Sequence, residues 1–155
     1  MGKTSTTTKL TVPVLKKRLD ELLKIVRWYE SDGRVNNCVT CGKFFQIKEL
    51  QCGHFIKRGN LRLKYEKGNL HRQCVRCNKY LDGAQDKMSY YIIHRYGLPA
   101  FDLLVETDKM WQGGSKPPLS RADYVKYYNY WLEENRRIEK EYNTKIIPKS
   151  WEQTD

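Results

Sequence analysis

The sequence predicts an α+β protein with a small, zinc-stapled core flanked by helices. Two Cys-x-x-Cys pairs, "CVTC" (38–41) and "CVRC" (74–77), enclose a stretch with few helical signals. Apolar residues recur at helical spacing before and after that stretch. With 155 residues, of which 39% are hydrophobic, the chain supports only a small core, and a metal clip would help it to fold.

The N-terminus, residues 1–13, is rich in threonine and lysine and is predicted to be disordered. It contains no apolar stretch long enough for a secretory signal. No window of the chain approaches the ~20 apolar residues of a membrane span. We therefore expect a protein of the host-cell cytoplasm with no membrane partner. In that reducing compartment, paired cysteines favour metal binding over disulfides.

An N-terminal helix is expected over residues 14–30, because leucine, valine and tyrosine side chains recur there at helical spacing. The turn-forming segment "SDGRVNN" (31–37) ends it. The core follows over residues 31–85. Its first half, "VNNCVTCGKFFQIKELQCGHF", is predicted to be a short hairpin wrapped round a metal, and "QCVRCNKYL" is expected to start a short helix.

The C-terminal region, residues 86–155, is predicted to be helical. Three helices are expected. The first is capped by Asp86 and runs to Tyr96, with Gly97 as its stop, and the second runs from Pro99 to Thr107. The third begins at a capping box formed by Ser120 and Asp123 and runs to about Tyr142. The last helix carries the aromatic side chains of Tyr124, Tyr127, Tyr128, Tyr130 and Trp131. We interpret them as a packing stripe; base stacking and a homodimer interface are the alternatives.

The four paired cysteines, Cys38, Cys41, Cys74 and Cys77, suit one tetrahedral Zn²⁺. All four coordination positions of such a structural site are filled by protein, so this zinc cannot activate water. Catalysis would need other residues and a second ion. Cys52 lacks a partner at this spacing and is interpreted as a buried free thiol, although it could replace one of the four ligands.

Positive charge is concentrated in the core. The net charge is +11, and the 37 residues from Lys43 to Lys79 contain ten basic and two acidic side chains. Positive charge concentrated in this way attracts a polyanion, most commonly nucleic acid. Lys57, Arg58, Arg62 and Arg72 are the predicted DNA contacts, because they are close in sequence to His54 and Asn69. The alternative is a highly soluble basic surface.

Three polar residues, His54, Asn69 and Asn78, are the candidates for chemistry. His54 lies between the cysteine pairs, Asn69 precedes "LHRQC", and Asn78 directly follows the second pair. By spacing alone, all three could be ordinary polar residues near a metal-binding turn.

The segments "CVTCGK", "LQCGHFIKRG" and "LRLKYEKGNLHRQCVRCN", followed by Gly83, resemble the phage NinG/Rap recombination nucleases. The resemblance extends over residues 15–105. The order Cys-x-x-Cys, His, Cys-x-x-Cys-Asn is also similar to the wider HNH, or His-Me finger, nucleases, which include phage junction resolvases. Their fold is a ββα-metal unit of two strands and a helix.

The resemblance implies a role for each candidate. His54 would be the general base that deprotonates water, as an imidazole with an ordinary pKa of ~6.5 can do. Asn78 would bind a catalytic Mg²⁺ or Mn²⁺ through its amide oxygen. Asn69 would orient the His54 loop through backbone hydrogen bonds.

Gly53 departs from the pattern of many His-Me finger nucleases, which carry an aspartate immediately before the base as a second ion ligand. NinG-like sequences also have Gly-His at this point, so the second ligand is left open. Asp82, four residues after Asn78, and His71 are the candidates. Capping or solvation of a helix end by Asp82, and a phosphate contact by His71, are the alternatives.

The predicted function is that of a metal-dependent DNA endonuclease of phage or prophage recombination, and the resemblance implies branched substrates such as D-loops and Holliday junctions. Recombination proteins are further expected partners. The alternatives are a non-catalytic, zinc-containing nucleic-acid-binding module and a restriction-type HNH nuclease.

Overall fold

The computed structural model describes residues 10–151, which form helices and two small antiparallel sheets, so the α+β prediction is confirmed. The first nine residues of the predicted disordered N-terminus lie outside the described part. The elements are α1 (Val12–Leu22), β1 (Val35–Asn37), β2 (Phe44–Gln46), β3 (Leu50–His54), β4 (Leu70–Cys74), α2 (Gln85–Tyr96), α3 (Leu98–Gly113) and α4 (Arg121–Glu141). They belong to two units: the chain up to residue 25 together with residues from 119 onward, and a central unit, residues 26–118.

The terminal unit is a pair of packed helices, α1 and α4. Pro13 lies in the first turn of α1, where its missing N–H costs nothing. The predicted capping box of α4 is confirmed: the Asp123 N–H donates to Ser120 Oγ over 3.1 Å, and the Ser120 N–H donates to Asp123 Oδ2 over 2.8 Å. The buried apolar and aromatic side chains of the pair are Leu15, Leu19, Leu22, Tyr124, Tyr128, Trp131 and Ile138. Three of the five aromatic residues therefore pack, as interpreted from the sequence.

The N-terminal helix is shorter than predicted. The α-helical part ends at Leu22, and residues Leu23–Trp28 form a 3₁₀ helix. Leu23 and Val26 are three residues apart, and a 3₁₀ helix keeps residues i and i+3 on one face. Both side chains are buried.

In the central unit, β1 pairs with β2 and β3 pairs with β4, both antiparallel. The predicted metal-binding hairpin is thus present. The pairing of β3 with β4 places Leu50 opposite Cys74 and His54 opposite Leu70. A π-helical turn, Arg76–Tyr80, follows β4, where a short helix was predicted.

Helices α2 and α3 cover a small apolar core formed by Phe55, Leu63, Met88, Ile92 and Leu104. Two predicted details are wrong. Ala84 rather than Asp86 precedes the first turn of α2, and Asp86 lies within that turn, where a carboxylate still favours the helix dipole. Helix α3 continues past Thr107 to Gly113, because Trp111 is seven residues after Leu104 and extends its buried stripe. Within residues 10–151, no helix combines the length and apolar character needed to cross a bilayer.

Candidate functional site

The four paired cysteines converge on one point. Their Sγ atoms all lie within 4.8 Å of one another, and the Cys41 and Cys74 sulfurs are 3.9 Å apart. The first pair sits in a tight turn closed by hydrogen bonds from Gly42 N–H to Cys38 O and from Cys38 N–H to Lys43 O. Gly42 has φ +76°, a conformation that favours glycine.

This geometry can hold one Zn²⁺. With Zn–S bonds of ~2.3 Å in a tetrahedron, the sulfurs lie about 3.8 Å apart. The Thr40 Oγ1 lies 3.2 Å from Cys38 Sγ, and the Cys77 N–H lies 3.5 Å from Cys74 Sγ. Burial raises the pKa of the Cys38 thiol, but hydrogen bonds from Thr40 and from backbone N–H groups lower it by more. The net lowering favours the thiolate, which is the form that binds a metal. The donor set therefore fits a closed, structural site.

Cys52 lies on β3 outside this cluster. Burial raises the pKa of its thiol to about 12, so it stays protonated at cellular pH. The structure thus keeps Cys52 apart from the four sulfurs, as the free-thiol interpretation expects.

His54 ends β3, one residue before the loop that joins β3 to β4. Its Nε2 lies 2.9 Å from the carbonyl oxygen of Lys64 in that loop. A carbonyl oxygen only accepts hydrogen bonds, so Nε2 carries the proton and Nδ1 is left as the basic nitrogen. The backbone thereby fixes both the tautomer and the orientation of the ring.

Burial lowers the pKa of His54 from 6.5 to about 4, and the positive charges of Arg58 and Lys64 act in the same direction. The bond to Lys64 O opposes the shift. The imidazole is therefore neutral throughout the cellular pH range, as a general base must be.

Asn69 is fully buried beneath the β3–β4 loop. It accepts a hydrogen bond from the Ile56 N–H through Oδ1 (2.6 Å). Its Nδ2 donates to the carbonyl oxygens of Ile56 (2.9 Å) and Leu63 (3.0 Å). One side chain thus ties together the two ends of the loop that carries the His54 partner, Lys64.

Asn78 lies in the π-helical turn, and its Nδ2 donates to Gln51 Oε1 over 2.9 Å. Gln51 and Gly53 are two residues apart on β3, so they share one face, whereas His54 belongs to the alternate face at the strand end. The structure therefore brings Asn78 to the face of Gly53. Gln51 and its cross-strand partner Gln73 could not be identified from the sequence, because only the strand register pairs them.

The two candidates for a second ion ligand are both engaged elsewhere. Asp82 is exposed and forms an ion pair with Lys57 at 3.0 Å. His71 pairs with Gly53 across the strands, and its Nε2 bonds to Gly68 O at 3.0 Å. Burial lowers the pKa of His71 to about 4, and its ring packs edge-on against Tyr91.

The predicted DNA contacts divide into two groups. Lys57, Arg58 and Arg62 are exposed on the β3–β4 loop, and the charge of Arg58 acts on His54. Arg72 is only 8% exposed. Its guanidinium bonds to the backbone and side-chain oxygens of Asn37 and lies 3.8 Å from Glu30. Arg72 therefore braces the metal-binding hairpin from inside the fold.

A family model described as the Bacteriophage Lambda NinG protein matches residues 6–117. This range covers all four paired cysteines and His54, Asn69 and Asn78. Neither the curated proteins nor the solved structures contain a match to the chain.

Proposed function

Since this chain belongs to the NinG family of bacteriophage proteins, we propose that it is a divalent-metal-dependent DNA endonuclease that cuts branched DNA during phage recombination in the host cytoplasm. The observation that carries this proposal is His54: a half-buried, neutral imidazole whose tautomer is fixed by Lys64 O and which lies beside an exposed basic loop. A protein that only binds DNA needs no such residue.

The order of elements supports a ββα-metal unit. Strands β3 and β4 form an antiparallel pair, the π-helical turn with Asn78 follows, and the cysteine cluster fixes the junction between β4 and that turn. Both candidates adjoin β3: His54 ends the strand, and Asn78 bonds to Gln51, three residues earlier and on the other face of the strand.

The proposed reaction is hydrolysis of a phosphodiester. His54 Nδ1 takes a proton from water as the water oxygen forms a bond to phosphorus, and the bond from phosphorus to the 3′ oxygen breaks. The leaving 3′ oxygen is protonated by solvent. A Mg²⁺ or Mn²⁺ ion held by Asn78 would supply charge stabilisation to the phosphate and to the leaving oxygen. The Asn78 amide suits it, because hard cations prefer oxygen.

Cleavage should be insensitive to pH on the acid side of neutrality. An imidazole with pKa 6.5 would lose about 90% of its neutral form at about pH 5.5, whereas one with pKa about 4 stays neutral. We therefore expect less than a twofold fall in single-turnover rate between about pH 7.5 and pH 5.5, at saturating Mg²⁺ and with zinc content verified at each pH. A tenfold fall would show that the base titrates as an ordinary histidine.

The basic loop is the proposed DNA interface. Replacing both Arg58 and Arg62 with alanine should weaken duplex binding. The slope of the logarithm of the binding constant against the logarithm of the salt concentration should become less steep by about 2, since each phosphate contact contributes ~0.9 to that slope. Fluorescence anisotropy over a salt series measures the slope. The exposed pair Arg136 and Arg137 on α4 offers a control with the same loss of charge. An unchanged slope in the loop variant would place the interface elsewhere.

The test of the proposal is a substrate panel. Linear, nicked, D-loop and four-way DNA are incubated with the purified chain and Mg²⁺ or Mn²⁺, with EDTA as the control. We expect divalent-dependent cleavage, with branched substrates cut first, because a short basic surface reads backbone shape rather than base sequence. Sequence-specific cutting of linear duplex would favour a restriction-type nuclease, and binding without cutting any substrate would favour a non-catalytic module.

A further inference from the structure

Asn60, in the loop between β3 and β4, is a buried polar residue that the proposed reaction does not use. Its relative exposure is only 2%, although Lys57, Arg58 and Arg62 of the same loop are exposed. Burying a carboxamide is unfavourable unless its donors and acceptors are paired. The partners of Asn60 therefore show what the residue holds in place.

Asn60 organises the loop through its backbone and its side chain. The Asn60 N–H donates to Lys57 O over 3.0 Å, and the Asn60 carbonyl oxygen accepts from the N–H groups of Leu63 (3.2 Å) and Lys64 (3.0 Å). Its Oδ1 accepts from the Arg62 N–H over 3.0 Å, as in an Asx turn. These bonds fix the course of the chain from Lys57 to Lys64.

The peptide group between Leu63 and Lys64 is held at both ends. Its carbonyl oxygen accepts from Asn69 Nδ2 over 3.0 Å, and its N–H donates to Asn60 O over 3.0 Å. The next carbonyl oxygen along the chain, Lys64 O, lies 2.9 Å from His54 Nε2. The position of the atom that holds the His54 ring therefore depends on both asparagines.

One bond of Asn60 leaves the loop and reaches α3. Its Nδ2 donates to Asp108 Oδ1 over 3.0 Å, across a separation of 48 residues in the chain. Because a carboxylate only accepts hydrogen bonds and the Arg62 N–H only donates, the Asn60 amide has one possible orientation. Helix α3 is itself fixed in the apolar core by Leu104. Asp108 thus gives the loop an anchor outside the loop.

We propose that Asn60 is a positioning residue for the general base, which it sets through the backbone of Lys64, and that Asp108 is its anchor. The proposal rests on the proposed function and adds to it a pair of residues away from the reacting atoms. Three hydrogen bonds of 2.9 to 3.0 Å lead from the Asp108 carboxylate through Asn60 and Lys64 to the imidazole of His54.

Loss of the anchor should act on the tautomer of His54 rather than on zinc or DNA binding. While Lys64 O is in place, the proton stays on Nε2 and Nδ1 is the basic nitrogen. When that carbonyl moves away, both tautomers of the neutral ring become populated and the basic nitrogen is misplaced relative to the water. Misplacement by about 1 Å can cost ~10²-fold in rate.

The first measurement needs no cleavage. Nitrogen-15 NMR of the zinc-loaded full chain, labelled at its three histidines, reports the tautomer of each ring, and a His54→Gln spectrum assigns the His54 signals. Asp108→Ala removes the anchor, leaves the loop sequence unchanged and suits a helix. We expect His54 to change from the single Nε2–H tautomer to a mixture of both. Asp102→Ala, which removes an exposed carboxylate of the same helix, is the matched control and should leave the spectrum unchanged.

The second measurement is single-turnover cleavage of a four-way junction at saturating protein. Asp108→Ala should lower the rate ~10–100-fold, because the base is misplaced. The dissociation constant for the junction should change by less than about twofold, since the exposed arginines of the loop remain. Asp102→Ala should cut and bind as the wild type does.

Exchanging the two side chains tests the bond itself. Asn60→Asp keeps an acceptor for the Arg62 N–H but places a second carboxylate against Asp108, so both the rate and the tautomer should be disturbed. In the double variant Asn60→Asp/Asp108→Asn, the amide donates in the opposite direction and the net charge equals that of the wild type. The cleavage rate and the Nε2–H tautomer should then both recover. A pair that only stabilised the fold would change the melting temperature and leave the tautomer of the folded chain as it was.

Two results would overturn the assignment while the nuclease proposal stands if the wild type cuts DNA. One is a folded, zinc-loaded Asp108→Ala chain with an unchanged His54 tautomer. The other is a double variant that is no better than Asn60→Asp. If the wild type cuts no DNA but Asp108→Ala still releases the ring, the positioning role of Asn60 is supported and the proposed function is refuted.

Discussion

Replacing Cys77 with serine should release zinc and unfold the central unit. Structural zinc sites in small peptides bind with an apparent ~10–16 kcal/mol, which equals or exceeds the ~5–15 kcal/mol by which a whole domain is stable. The buried cluster of Cys38, Leu50, Cys74 and Cys77 has little apolar area to compensate for the loss of the ion. Elemental analysis and thermal unfolding followed by circular dichroism measure the two effects.

Cys52 supplies the control, because it is the one cysteine of five outside the cluster. Cys52→Ala should retain one zinc per chain and lose no more than the few kcal/mol of a small core substitution. If Cys77→Ser keeps its zinc while Cys52→Ala loses it, the ligand set is misassigned. If the purified wild type contains no zinc and is folded, the cluster is not a metal site.

His54→Ala should slow cleavage by ~10²–10⁴-fold, the usual contribution of a positioned acid or base, or ~3–5 kcal/mol of activation free energy. The substitution leaves the four sulfurs and the exposed arginines in place. Zinc content and DNA affinity should therefore change little. Single-turnover cleavage of a four-way junction, beside anisotropy and elemental analysis, separates these quantities.

His94→Ala is the matched control, because His94 is an exposed histidine on α2. It should cut as fast as the wild type. Full activity in His54→Ala would show that another group removes the proton, with His71 the next candidate. Loss of zinc in His54→Ala would show that this residue is structural.

The parts of the structure that depend on local sequence could be predicted. Cys-x-x-Cys spacing identified the sulfur cluster, because two thiols in one tight turn need only a few residues to reach a common point. The capping box at Ser120 was likewise predictable, since its two hydrogen bonds join residues within a four-residue segment. The 3₁₀ helix after Leu22 could not be predicted, because the spacing of apolar residues differs little between an α-helix and a 3₁₀ helix over six residues.

The parts that depend on strand register could not be predicted. The carboxamide of Gln73 comes from β4, yet it fills the space in front of Gly53 on β3. Closeness in sequence to Asn69 predicts Arg72 as a DNA contact, but a buried strand turns its guanidinium toward Asn37. A one-residue change in register would exchange the faces of both residues, and the sequence alone does not set that register.

The packing of α1 against α4 has a consequence for synthesis of the chain. Arg18 bonds to the Tyr128 hydroxyl across a separation of 110 residues, so α1 leaves the ribosome long before its partner. At ~5–20 residues per second, the interval is on the order of 10 s. Residues 26–118 are complete within that interval and can capture zinc first. Until α4 emerges, the leucine stripe of α1 has no partner helix to cover it and is exposed to solvent.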